Sequence, residues 1–251
     1  MNNEYPKIET LFNRDAKFRV IEGEFRLPEF KMINEWYVTE KVDGTNVRII
    51  YEPLYEKVGM ISLDTILRYT GHGVRFAGKT DKAEFHPDLS AYLEKTFTYE
   101  KLSTVFPTNP EGKSIQPPHV IIYGEGYGPK IQSGGTYRKD IAVRVFDVFI
   151  ADPENPLGGW WLEPENITDI AAKLGVNTVT KLPVTSIPEI VESVKNGFKS
   201  QVAHEDGDND ALAEGIVART KPLLFTRKGE RLIWKLKTKD FNPQKARSDK
   251  P

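Results

Sequence analysis

Short apolar runs alternate with charged or glycine-rich punctuation along this chain, and most of the runs are too short for helices. Residues 36–50, WYVTEKVDGTNVRII, hold two apolar stretches around a charged centre. They predict strands over Tyr37 to Lys41 and Asn46 to Tyr51, with Asp43-Gly44 as a tight turn between them. Lys41 then sits where a strand enters a turn. The β-branched run His119 to Tyr123 predicts a further strand leading into a glycine-rich bend, Gly124 to Gly128. Ile141 to Ile150, IAVRVFDVFI, alternates as a long buried strand does.

Helical spacing appears over Glu163 to Leu174 and over Ile187 to Phe198. Pro164 stands near the start of the first, where proline is tolerated, and Gly175 follows its end as a C-cap. Gln201 to Ala213 is polar, with HEDGDND at its centre, and predicts a loop. Two short strands follow, Gly215 to Ala218 and Arg231 to Lys237, before a polar tail from Asn242. Strands dominate and antiparallel turns recur, so the predicted class is α+β.

Composition narrows the partners more than the fold. The chain has 251 residues, with 35 Lys plus Arg against 36 Asp plus Glu. Any nucleic-acid contact must come from a local patch, because the global field is near neutral. With no cysteine, disulfides, zinc thiolates and thiol nucleophiles are excluded together. The first ten residues lack the apolar segment of a signal peptide, and no apolar run approaches the ~18 residues that span a bilayer. The expectation is a monomeric cytoplasmic protein with no membrane partner.

Five segments combine charge with glycine or an apolar strand. Lys41-Val42-Asp43-Gly44-Thr45-Asn46 puts a lysine at a strand end, where burial and a neighbouring cation can free its amine for attack on phosphorus. A surface lysine in a hairpin is an equal alternative from this segment alone. Tyr123 to Tyr127 pins Glu125 between two glycines, whose small size lets a sugar or phosphate approach; an ordinary turn is the plainer account. Phe146-Asp147 lies inside an apolar strand, where the ring could stack on a base or simply fill a core. Glu214 heads a strand and is a candidate metal contact. Lys235 and Lys237 share a strand face by alternation and would complement a polyphosphate.

Taken in order, these segments resemble the covalent nucleotidyltransferase superfamily of ATP-dependent DNA ligases, RNA ligases and capping enzymes. Lys41-Val42-Asp43-Gly44 is similar to its lysine signature, Glu214 to Val217 to its fourth motif, and Lys235 to Lys237 to its fifth. Asn46, five positions after the lysine, resembles the RNA-ligase branch. Viral double-strand nick-sealing RNA ligases and their phage relatives look most similar, through YPKIETLFNRD and YGEGYGPKIQ.

The resemblance implies a nucleotidyltransferase domain, ATP-grasp-like, of antiparallel sheets flanked by helices, over residues 1–241. Too few residues follow Lys237 for a C-terminal oligonucleotide-binding-fold domain, so a bare catalytic domain is expected. The resemblance also implies ATP and Mg2+ or Mn2+ as cofactors, an RNA or nicked-duplex partner, and a role in RNA repair. Lys41 would be the nucleophile and Glu214 the metal contact. Glu40, Asn46, Arg75, Glu125, Phe146, Lys235 and Lys237 would bind the cofactor: Asn46 orienting phosphate, Glu125 on the ribose, Phe146 on adenine, the two lysines on phosphates. Arg75, or Lys79 in part, would supply the basic group that follows the first motif. A minimal DNA ligase is the alternative with the same chemistry.

One motif points elsewhere. Gly73 to Thr80, GVRFAGKT, fits the phosphate-binding P-loop pattern of nucleotide hydrolases. A P-loop needs a helix starting at its lysine, and Pro87 is expected to break such a helix. The four histidines, His72, His86, His119 and His204, read as surface or turn residues. Trp160-Trp161 reads as a core anchor, with base stacking as the other possibility.

Overall fold

The computed structural model describes residues 4–17, 19–61, 64–107, 118–132, 134–152, 155, 158–207 and 210–241; the expected polar tail lies outside them. In chain order the strands and helices are β1 (Glu9–Thr10), β2 (Phe12–Arg14), β3 (Val20–Phe25), β4 (Tyr37–Lys41), β5 (Thr45–Ile61), β6 (Asp64–Ala77), α1 (Pro87–Thr96), α2 (Tyr99–Val105) and β7 (His119–Tyr127). They continue with β8 (Ala142–Ala151), β9 (Gly159–Trp161), α3 (Pro164–Leu174), β10 (Asn177–Thr178), α4 (Ile187–Asn196), α5 (Gln201–Glu205), β11 (Gly215–Arg219), β12 (Ile233–Lys237) and α6 (Thr238–Phe241). The class is α+β, as expected. The chain forms two compact units: Met1–Tyr5, Thr45–Gly126 and Ile141–Thr178 make one; Pro6–Gly44, Tyr127–Asp140 and Val179–Pro251 make the other.

The first unit is built on a sheet of order β10-β8-β7-β5-β6, with β9 on β8. Ile50, Ala77, Ile121 and Tyr123 form an apolar layer on one face, joined by Tyr5, Phe146, Phe149 and Trp161. Helix α3 has its apolar stripe, Ile167, Ile170, Ala171 and Leu174, buried, and it packs on β8 and β10. Pro164 occupies its first turn and Gly175 ends it with φ 77°, as the sequence predicts. The second unit carries the sheet β1-β12-β11-β4. Its core joins Val38, Ile216, Ala218, Trp234 and Leu236 to Ile190, Val191 and Val194 of α4. The β4-β11-β12 and β5-β6 pairings are antiparallel, but β1 with β12 and β10 with β8 are parallel.

Several local expectations are corrected. Asp43-Gly44 does not close a hairpin: β4 pairs with β11, whereas β5 pairs with β6 and β7. β5 runs to Ile61 and folds back as β6, a long arm whose far part, among the described residues, pairs only with itself. The glycine-rich segment after Tyr123 is strand, not bend, through Tyr127. Residues 201–205, expected as loop, are helical. Pro87 starts a helix rather than breaking one, and no helix begins at Lys79, so the P-loop reading fails. His72 is a core residue: it stacks on Tyr51 at 4.3 Å and bridges the Tyr69 hydroxyl (2.6 Å) and the Pro118 carbonyl (2.8 Å). Because the carbonyl only accepts, Nε2 carries the proton and Nδ1 accepts from the tyrosine. Trp161 is the anchor expected; Trp160 beside it is exposed.

Candidate active site

Strand alternation separates chemistry from core in the second unit. Val38 and Glu40 lie opposite Ala218 and Ile216, which lie opposite Trp234 and Leu236. All six point into the core side of the sheet. Lys41 lies opposite Gly215, which lies opposite Lys237, and Lys235 is two residues away on the same face. The other face therefore gathers the lysines that the sequence singled out.

Glu214 joins them. Its Oε2 accepts from Lys41 Nζ at 2.7 Å, and its Oε1 accepts from Lys237 Nζ. Lys41 Nζ also reaches the Val42 carbonyl at 3.3 Å. Gly215 makes this approach possible. A Cβ there would fall 2.2 Å from the Leu236 carbonyl oxygen, at a φ of +158°. Burial pushes the Glu214 carboxyl toward the neutral form, but Lys41 and Lys237 together outweigh it and hold its pKa below the usual value. Burial lowers the pKa of Lys235, and the charges of Lys237 and Lys41 lower it further. Three ammonium groups around one carboxylate leave a local excess of positive charge, suited to a polyphosphate.

Glu40 has a different task from the one expected of it. Its side chain is 1% exposed and turned inward. Its Oε2 accepts from the backbone N–H of Gln201 (2.7 Å) and Val202 (3.1 Å), and its Oε1 from the Ser200 hydroxyl. It caps α5 from 160 residues away, so its carboxylate is already engaged within the protein.

The other expected residues belong to the first unit. Asn46 and Glu125 are directly opposed across β5 and β7, so their side chains share a face. Asn46 Oδ1 is buried without a hydrogen bond, as an acceptor awaiting a ligand would be. The glycines beside Glu125 do not open the backbone to a ligand. A Cβ on Gly124 would meet Val143 and Arg144, and one on Gly126 would meet Leu89 and Val47. They let neighbouring elements pack beneath the strand while Glu125 faces the opposite side. Phe146 is half-buried against the edge of Tyr5, at 5.0 Å between centroids. Arg75 is exposed, with its guanidinium held by Glu52 at 3.3 Å and Asp81 at 3.9 Å. Lys79 is exposed two residues after β6.

Tyr5 escaped the sequence reading. Its ring packs against Phe146, Tyr123 and Trp161, and its hydroxyl donates to Asp147 at 2.6 Å. A buried aspartate within an apolar strand was the available signal, since such a group demands a donor. Among the described residues no three acidic or histidine side chains cluster as a metal site, and no helix is long and apolar enough to cross a membrane.

A strand-end lysine, a strand-heading glutamate and two alternating lysines thus stand together, the set that the sequence resemblance singled out. The family model for RNA ligase matches residues 34–237, and the chain belongs to the RNA ligase family. Its fold is similar to that of Naegleria gruberi RNA ligase. One mutant of that enzyme, with ATP and Mn, aligns at TM-score 0.54 and 14% identity, covering 93% of this chain and 56% of that one. An apo mutant gives TM-score 0.54 at 14% identity (96% and 64% covered), and the enzyme with PPi gives 0.52 at 14% (96% and 64%). This chain thus spans about three-fifths of the length of those structures. No curated protein matches it in sequence.

Proposed function

We propose that the chain is an ATP-dependent RNA ligase that joins 5′-phosphate and 3′-hydroxyl ends through a lysyl-AMP intermediate on Lys41. The observation that carries this reading is the Lys41–Glu214–Lys237 bridge, formed at the ends of three adjacent strands. The ATP, AMP and Mn held by Naegleria gruberi RNA ligase in its structures support the choice of nucleotide and metal.

Lys41 Nζ attacks the α-phosphorus of ATP; an N–P bond forms, the P–O bond to pyrophosphate breaks, and the lysine proton leaves. At rest Glu214 holds Lys41 as an ion pair, and an ammonium has no lone pair to attack with. The amine must leave the carboxylate and lose a proton before it reacts. Lys235 and Lys237 disfavour its positive charge once Glu214 is engaged elsewhere, and they grip the departing phosphates. A divalent cation held by Glu214 and phosphate oxygens would supply charge neutralisation; one carboxylate suffices when the nucleotide provides the other ligands. Asn46 contributes its open acceptor, Glu125 binds the ribose, and Phe146 stacks on adenine. AMP then passes to an RNA 5′-phosphate, and a 3′-hydroxyl displaces it.

The test is intact mass after incubation with ATP and Mg2+. The expected result is an added AMP in the wild type and none in Lys41→Ala. A folded, initially unmodified wild type that gains no AMP overturns the reading. Nicked duplexes with a ribose or a deoxyribose at the 3′-hydroxyl then separate RNA from DNA joining, because the 2′-hydroxyl is what the protein would read.

A further inference from the structure

We infer that Tyr137 is a positioning residue for the nucleophile, acting as the terminal member of a polar brace that holds the Lys41 turn from both sides. The inference rests on the reading of Lys41 as the adenylated lysine.

The brace lies wholly within the second unit. On one side of Lys41, the Glu40 carboxylate caps α5 through Ser200, Gln201 and Val202, and the Glu40 backbone N–H donates to Thr180 at 2.9 Å. The Thr180 hydroxyl returns to α5 by donating to Glu205 at 3.0 Å. Asp206 is the C-cap of that helix, its N–H bonded to the Val202 carbonyl at 3.1 Å. Its carboxylate accepts from the Tyr127 hydroxyl (2.7 Å) and from Arg138 (3.4 Å). Arg138 lies over the Tyr127 ring and also binds Asp140 at 2.8 Å. Tyr137 follows, with its ring edge-on to Tyr127 at 6.1 Å and its side chain 1% exposed. Its hydroxyl takes a hydrogen bond from the backbone of Asp43, two residues after Lys41. The charges of Glu40, Asp43 and Glu214 all reach that hydroxyl, and with burial they push its pKa well above the ordinary tyrosine value. It is a neutral phenol at any working pH.

Such a brace has a chemical purpose. Lysine carries four rotatable methylenes and cannot hold its own amine in line with phosphorus. Attack requires reacting atoms within about 3–3.5 Å in the right orientation. The precision must come from a fixed backbone at Lys41 to Asp43 and a fixed carboxylate at Glu214. Tyr137 reaches the first and senses the second.

The experiment measures single-turnover lysyl-AMP formation by the full chain across ATP concentrations, with thermal unfolding in parallel. Tyr137→Phe keeps the ring and removes the hydroxyl. The expected result is an adenylation rate at saturating ATP lowered about tenfold, with half-saturation by ATP and the unfolding temperature little changed. Asp206→Asn, which cuts the brace away from Lys41, should lower the same rate, and combining the two should cost little more than either alone. A wild-type rate in Tyr137→Phe overturns the inference. So does a loss that appears in the ATP half-saturation, or one that multiplies fully with Asp206→Asn. If Tyr137→Phe fails to fold, Tyr127→Phe is read by the same criteria. A wild type that forms no lysyl-AMP instead overturns the functional reading beneath it.

Discussion

Glu214→Gln removes a negative charge from among three lysines while keeping the shape of the side chain. The glutamate side chain is 12% exposed, and Lys41 and Lys237 are 22% and 21% exposed. Unit charges 4 Å apart attract by about 4 kcal/mol at an effective dielectric near 20, before any desolvation cost. Breaking a fully buried pair costs about 3–5 kcal/mol. Because the lysine ends here are partly wet, the expected loss is smaller, about 2 kcal/mol at neutral pH. For a chain of this size that corresponds to an unfolding temperature lower by roughly 4–8 °C. The pH dependence gives the sharper test. The folded pKa of Glu214 lies below its usual 4.5. Its stabilisation is therefore complete above that value and is lost as pH falls through the folded pKa. Urea unfolding of wild type and variant should show a full gap at pH 7 that narrows once the pH drops below about 4.5. Equal stability at pH 7, or a gap that widens in acid, would refute the counter-ion role.

Two further outcomes follow from the same sheet. Gly215→Ala places a methyl against the Leu236 carbonyl in a backbone region that L-residues rarely adopt; a loss of about 2 kcal/mol or more is expected in urea unfolding, with lysyl-AMP formation falling as Glu214 is displaced. Glu40→Gln turns an amide toward donors that now find a carboxylate; it should cost about 1–3 kcal/mol and speed amide exchange at Gln201 and Val202, and unchanged exchange there would remove the capping role.

The lysines that the structure gathers around Glu214 were legible because their signals are local. Lys41 ends an apolar run before Asp43-Gly44, and Lys235 and Lys237 alternate within five residues. The misreadings share one cause: the deciding partner is distant in sequence. α5 is five residues long and gains its stability from Glu40, so no pattern within QVAHE announces it. Glu40 looked like a ligand contact because it adjoins Lys41. The alternation that linked Lys235 to Lys237 already put Glu40 on the opposite face of its strand. The glycines flanking Glu125 look the same whether they admit a ligand or a neighbouring Leu89 and Val143. The arm of β5 and β6 was missed beyond Tyr51 because its exposed positions, such as Leu54, Tyr55 and Leu67, blur the polar–apolar alternation.

The distance between Lys41 and its counter-ion also bears on how the protein is made. The bridge to Glu214 spans 173 residues of chain. At about 5–20 residues per second of synthesis, the carboxylate is added on the order of ten seconds or more after the lysine. β4 cannot pair with β11 until residues 215–219 exist, and contacts of such long range also slow folding once the chain is finished. During that interval the lysine carries its charge without the carboxylate that holds it at rest. A nascent chain stalled before Glu214 would therefore display the whole first motif without its counter-ion, and the competence proposed for Lys41 would be among the last properties that synthesis confers.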